Sequence, residues 1–416
     1  MPNFVFYDFE TSSSNKFWGQ IIQIGAILTN DNLEELDRFD ARCRLNPGIV
    51  PEAMALIVNK SSPKMLKNSN LSHYEMIRQF VDTLKKWGKA SYIGFNSIEF
   101  DEEFLRSTLF QTLEYPYLTS TNGNTRGDIL GLARAANLYY PKTLKNSVND
   151  KGNDVYKLDQ MAPLNGIEHG DAHSAIGDVI ATVGIAKIIA NKAPNVWKAS
   201  QKTMDKTMSL ELIKKEHYFC TNEYFYGKSR PYVQTFVCQH PKYQWPLCFD
   251  LKHDPRNFLD LPIQELAAAM KKNPKFLRTV RHNKHPVIMN PSYSSLFEEY
   301  KINSFVDDIS NMFVRMVANR RNISIDIAKG LSDGRVYTGQ MALKHGLIDA
   351  IGGRRDALKW LEIKKNIPED LPIITLRTGI SGMNWLERLQ SLTQKVLISE
   401  RLVLDGLLSI WQPSGK

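Results

Sequence analysis

A chain of 416 residues with 43% hydrophobic and 23% charged side chains is long enough for two or three domains, and its composition excludes a collagenous, coiled-coil or wholly disordered protein. The net charge of +9 is unevenly spread: it is −1 over residues 1–200, +7 over 201–290 and +3 over 291–416, so the middle segment is a candidate footprint for a polyanion. The four cysteines contain no C-x-x-C pair, no run approaches the roughly twenty apolar residues that cross a bilayer, and the first residues lack an export signal; a reduced, soluble, cytoplasmic protein without membrane association is expected.

FVFYDFE, at the N-terminus, is short and apolar on both faces, as in a central strand of a covered sheet. Residues 20–29 and 36–45 read as its meander partners. After Pro51, helical periods alternate with short apolar runs: helix over 74–87, strand over 90–95, helix over 100–109. That alternation predicts α/β layers. The polar stretch 140–155 predicts a loop, and YKLDQMAPL and SAIGDVIATVGIAKIIA predict helices that close a first domain over residues 1–200.

From 203 to 290 the β-prone runs LELIKKEHYFC, PYVQTFVCQH and YQWPLCFDL, separated by Gly, Pro and Asn, predict a small β-barrel with one helix, IQELAAAMKKN. Beyond Pro291, FVDDISNMFVRMVANRRN has helical period and a turn-rich stretch follows, in which Gly330, Gly334, Gly339 and Gly346 read as turn residues. The tail, 366–416, predicts amphipathic helix that needs a partner surface.

Asp8 and Glu10 are two apart on the first predicted strand, and a period of two puts both carboxylates on one face at the strand's end. Adjacent anions there repel unless a cation lies between them. A hard divalent metal such as Mg²⁺ answers that need, and a pair of such ions suits in-line displacement at phosphorus. A lone D-x-E is more often an ordinary turn with solvated acids, so further ligands are required. Asp101 follows a predicted strand and opens a helix. Asp178 lies five residues after His173; five residues is 500° of helix, which places His173 on the approach to a helix and Asp178 inside it, with small Ala175 and Gly177 leaving room.

The set Asp8-x-Glu10, Asp101 and His173-x-Ala175-x-x-Asp178 resembles the signature of the DEDDh 3′–5′ exonucleases, whose fold is RNase H-like. YDFET, GFNSIEFDEEFLR, NTRGDILGLARAA and KLDQMAPLNGIEHGDAHSAIGDVIATVGIAKI extend the resemblance to the bacterial exodeoxyribonuclease I branch of that family, over about residues 1–290. The resemblance implies a mixed sheet flanked by helices, then an SH3-like barrel over 203–290. It implies that Asp8, Glu10 and Asp178 hold a metal and contact substrate through Glu10, that Asp8 bridges to a second ion supported by Asp101, and that His173 is the base. Its unperturbed pKa near 6.5 suits that task. Two Mg²⁺ ions, with Mn²⁺ as substitute, are the implied cofactors, with no other small molecule. Single-stranded DNA is the implied substrate, single-stranded DNA-binding protein a candidate partner, and Arg126 a phosphate contact. His169 reads as structural, since the family's base aligns with His173.

The middle segment interleaves Tyr218, Phe219, Tyr224, Phe225 and Tyr226 with Lys228 and Arg230, ahead of Lys271, Lys272, Lys275, Arg278, Arg281 and Lys284. Such mixtures grip single strands. Residues 300–365 instead resemble the C-terminal portion of the signal peptide peptidase family, an α/β fragment without the upstream Ser/Lys dyad, so a remnant or an assembly surface is expected there. The third domain that completes the DNA-embracing ring in exodeoxyribonuclease I enzymes is not recognisable, which predicts reduced processivity. Two other readings stand beside the exodeoxyribonuclease: a DEDDh exoribonuclease trimming RNA ends, and a fusion product that only binds nucleic acid.

Overall fold

The computed structural model describes residues 3–168, 174–259, 261–272, 274–300, 314–331, 337–365 and 368. The chain divides into two compact units, Met1–Val306 and Asp307–Lys416.

The first unit is built on a five-stranded mixed sheet. Strands β1 (Asn3–Thr11), β2 (Ile21–Thr29) and β3 (Glu35–Arg42) form an antiparallel meander, and β4 (Ala90–Gly94) and β5 (Thr125–Asp128) add in parallel, in the order β3-β2-β1-β4-β5. Short helices α1 (Ala53–Val58) and α2 (Pro63–Lys67) lead into α3 (His73–Trp87). The start of α3 is fixed by a reciprocal capping box between Ser72 and Glu75. Helices α4 (Asp101–Gln111) and α5 (Ile129–Tyr139) follow β4 and β5.

Alternation along β1 divides the core. Val5, Tyr7 and Phe9 join Met76, Ile77, Phe80, Val81 and Leu84 of α3 and Phe104, Leu105 and Leu109 of α4 in one buried cluster. Phe4, on the other face, meets Trp197 edge-on at 5.7 Å. Asp8 and Glu10 share that second face by the same period of two. It is covered by α7 (Ala175–Lys192), which comes after α6 (Leu158–Leu164) and packs on β1 and β2.

The expected loop at 140–155 contains a two-stranded hairpin, β6 (Ser147–Val148) with β7 (Asp154–Val155). The reading of LELIKK as β-prone is corrected too. After α8 (Pro194–Thr203), residues Lys206–Lys215 form α9. Asp205 caps it through Thr207 and Met208 amides at 2.6 and 3.1 Å, and Ser209 and Ile213 bury one face. Four antiparallel strands then form a second sheet, ordered β11-β10-β9-β8: β8 (Phe219–Phe225), β9 (Lys228–Gln239), β10 (Pro246–Asp250) and β11 (Leu277–Thr279). Helices α10 (Arg256–Leu259) and α11 (Ile263–Ala269) lie between β10 and β11, and a bridge from Cys220 to Met289 brings the chain back beside β8.

In the second unit residues 314–321 are helical (α12), followed by α13 (Ile325–Leu331), α14 (Gly339–Lys344) and α15 (Arg354–Lys365). Val314, Ala318 and Ala328 form its small core. Among the described residues of this unit there is no strand, so the expected α/β character is seen only as helices. Gly330 and Gly339 lie in helices; Gly346, at φ 70°, ends α14 as a turn glycine. Gly334 and the predicted amphipathic tail, 366–416 apart from residue 368, lie outside the described residues. Among the described residues no helix is long and apolar enough to cross a membrane, and all four cysteines are free.

Candidate active site

Carboxylate oxygens of Asp8, Glu10 and Asp178 lie within 4.8 Å of one another, and all three residues are partly buried. Strand β1 supplies the first two. Helix α7 supplies the third from its first turn, where Ser174 caps the helix by accepting the Gly177 amide at 3.2 Å. The fourth acid, Asp101, opens α4, is 4% exposed and accepts the Phe9 amide at 3.1 Å. That bond ties it to the backbone between Asp8 and Glu10. His173 and His169 lie outside the described residues.

The acids stand in one another's field. Burial pushes Asp8 well above the carboxylate range, and Asp101, Asp178 and Glu10 add to the rise. Burial also pushes Glu10 up to about 7, with Asp178 reinforcing the shift and Arg42 opposing it. Asp101 is raised well above its ordinary value by burial, against the amide bonds it accepts. Clustered carboxylates that resist ionisation are stabilised as anions by a cation, and an all-oxygen donor set fits a hard divalent ion.

Three supports went unrecognised in the sequence. Gly25 sits opposite Asp8 in the β1–β2 register. A Cβ there would fall 2.5 Å from the Ala175 carbonyl carbon and the Ile176 nitrogen, so only glycine lets the start of α7 lie this close to β2. Glu102, beside Asp101 and fully buried, accepts the Tyr7 hydroxyl at 2.9 Å, the Thr119 hydroxyl at 3.0 Å and Arg126 Nη1 at 3.2 Å, with Arg106 at 3.6 Å. It joins β1, α4 and β5 behind the acid cluster. Asp128 accepts the Asn96, Ile98 and Leu130 amides at 2.9, 3.2 and 3.0 Å and so shapes the loop leading to Asp101. Its own amide donates to His285 Nδ1 at 2.9 Å. Burial pushes the Asp128 carboxyl up to about 6 and holds the His285 imidazole down at about 4.

Arg126, carried forward from the sequence as a phosphate contact, is 14% exposed at its side chain. Besides Glu102, its guanidinium donates to the Asn283 carbonyl at 3.5 Å. Of the middle-segment aromatics, Phe219 is fully buried, whereas Tyr226 is 85% exposed.

Two family models match parts of the chain. The family model Exonuclease matches residues 5–186, and the model Peptidase family S49 matches residues 276–368, so the second match starts within the second sheet, just before β11. Exodeoxyribonuclease I of Buchnera aphidicola subsp. Acyrthosiphon pisum is 30% identical over 216 residues, covering 51% of this chain and 52% of that protein. The solved structure of E. coli Exonuclease I in complex with a dT13 oligonucleotide is 18% identical, with a TM-score of 0.62, and covers 96% of this chain and 92% of that one. A structure of SSB/Exonuclease I in complex with an inhibitor is 17% identical at a TM-score of 0.60, with the same coverage. These likenesses show a shared fold, the RNase H-like exonuclease architecture. The chain spans about half the length of the curated relatives it matches. Residues 5–186 are thus similar to the Exonuclease family, in a chain that resembles exodeoxyribonuclease I over about half its length and peptidase family S49 over residues 276–368.

Proposed function

We propose that this chain is a divalent-metal-dependent 3′–5′ exodeoxyribonuclease that releases 5′ mononucleotides from single-stranded DNA, in repair or recombination. The observation that carries the reading is the convergence of Asp8, Glu10 and Asp178 oxygens within 4.8 Å, beside a buried Asp101. Mg²⁺, or Mn²⁺ in its place, fits this donor set. A pair of such ions, when bound, supplies neutralisation of phosphate charge and a lowered pKa for water.

The chain's own residues then have separate tasks. Asp8 and Glu10, placed opposite Gly25 and Gln23 in the β1–β2 ladder, hold their oxygens toward the α7 face, and Asp178 closes the set from the helix. Asp101, which accepts the Phe9 amide, would support a second ion. His173, immediately before the cap Ser174, takes the proton from the attacking water, and Glu10 also meets the terminal nucleotide. Arg126 would have to leave Glu102 to reach a phosphate and is read as a support for that buried anion. Residues 203–290 are read as an SH3-like barrel that holds the strand; the antiparallel sheet and the Cys220–Met289 bridge favour this. Residues 300–365 are read as a remnant or assembly surface, and 366–416 as its helical tail. Single-stranded DNA-binding protein is a candidate partner, and four free cysteines suit a reduced cytoplasm.

The test is to incubate the purified chain with labelled single-stranded DNA, duplex DNA and RNA, with Mg²⁺ or with chelator. Mononucleotide release from single-stranded DNA, dependent on Mg²⁺, is expected. Release from RNA alone would move the assignment to an exoribonuclease, and no release from any substrate would overturn it.

A further inference from the structure

The aromatics that the sequence pairs with cations are mostly committed elsewhere. Phe219 is core, and Tyr224 lies under Arg134 at 4.0 Å while donating its hydroxyl to the Asp154 carbonyl at 2.5 Å. The turn joining β9 to β10 differs. His240 and Tyr243 have ring centroids 4.9 Å apart at 37°, and Tyr243 and Trp245 stack at 4.8 Å and 19°. Arg281 lies 5.3 Å from the Trp245 ring, and Lys242 lies 5.3 Å from that of Tyr243.

The backbone holds this column in place. His240 donates its amide to the Trp245 carbonyl, Gln244 donates to the His240 carbonyl, both at 2.8 Å, and Gln244 takes φ 56° to close the turn. The core of the sheet is built from Ile213, Phe219, Cys248, Val280 and Ile288 and includes none of the three rings. Tyr243 is 50% exposed, and Val237 on the adjoining strand 52%. The column is therefore ordered by its own turn rather than by burial.

Stacked rings with cations alongside, at the surface of a segment of charge +7, match the chemistry of a single strand: bases extend the stack while cations follow the phosphates. We propose that His240, Tyr243 and Trp245, with Lys242 and Arg281, form a stacking platform for single-stranded DNA away from the cleaved end. The proposal rests on the nuclease reading above and assigns a binding surface that the acid cluster does not include.

The experiment measures, in chelator, the affinity of the full chain for a long labelled oligothymidylate by fluorescence anisotropy, and separately the Mg²⁺-dependent hydrolysis of a trinucleotide. Tyr243→Ala and Trp245→Ala should each weaken long-strand binding by roughly 5- to 150-fold, the range for loss of one stacked base, with trinucleotide hydrolysis unchanged. Tyr243→Phe should retain affinity. Arg281→Gln should flatten the slope of log affinity against log salt by about 0.7, as for one lost contact to a single strand. Unchanged long-strand affinity in both alanine variants, or equal loss of trinucleotide hydrolysis in either, would overturn the platform. If the wild-type chain releases no mononucleotide from any single-stranded DNA, the nuclease reading fails, and the affinity comparison still decides the platform.

Discussion

The edge of β1 and the turn between β9 and β10 both gather side chains that a sequence can name, yet they were legible to different degrees. At the first, period two along one strand puts Asp8 beside Glu10, and each remaining acid sits at the start of a helix. At the second, aromatic and basic residues are scattered over some forty positions, and only the three-dimensional structure separates rings in the core from rings at the surface. Acids at a strand end carry their chemistry in their spacing; aromatics acquire theirs from what covers them.

The largest effect that tests this contrast concerns Asp178→Asn. Hydrolysis should fall by ~10³-fold or more, equivalent to losing about 4 kcal/mol of charge stabilisation. Stability should move the other way. Because burial and neighbouring acids raise Asp8 and Glu10, the latter to about 7, the folded chain without metal binds more protons than the unfolded chain between the ordinary carboxylate range and about pH 7. The contribution of these groups is fully present at the acid end of that window and lost as pH rises through 7. Removing the Asp178 charge should therefore raise the Tm of the metal-free protein at about pH 8, with a smaller gain at about pH 5. Thermal melts in chelator check this, and a lower Tm for the variant at the alkaline end would contradict it.

Gly25→Ala should come next. The added methyl must displace the Ala175 backbone, and a misplacement of about 1 Å at a catalytic group costs ~10²-fold in rate. Circular dichroism should show a folded protein, destabilised by about 1–3 kcal/mol as in other overpacked cores. Wild-type activity in this variant would mean that α7 is free to shift without consequence.

Glu102→Gln should have a smaller effect on rate, about 10-fold, and should raise the Mg²⁺ concentration needed for half-maximal activity, because Asp101 immediately precedes the anchored residue and is positioned through it. It should also cost about 3 kcal/mol of stability, since the buried partners of Glu102 include Arg126. An unchanged Mg²⁺ requirement alongside the stability loss would reduce Glu102 to a purely structural residue.

Much of the first unit could be read from the chain because its elements are strongly patterned. The helix predicted at 74–87 is His73–Trp87, and the strand predicted at 90–95 is Ala90–Gly94. The errors have local causes. LELIKK is apolar enough for a strand, but Asp205 is a strong helix cap four residues upstream of Ser209. Residues 140–155 are polar, yet a Gly152 turn at φ 73° allows a short hairpin. Gly25 was invisible because a glycine inside an apolar strand reads as a weakness until its partner across the ladder is known to be Asp8. Glu102 was hidden in a run of acids, where solvated side chains are the ordinary expectation. The turn 240–245 carries no sequence signal of its own, because its rings are interleaved with Pro, Lys and Gln in a pattern that fits no strand or helix face.

Calorimetric titration of the metal-free chain with Mn²⁺, beside its Asp8→Asn variant, tests the acid cluster most directly. The expected result is saturable binding to the wild-type chain that is lost in the variant while its fold is retained. Equal Mn²⁺ binding by both would contradict a metal centre at the end of β1.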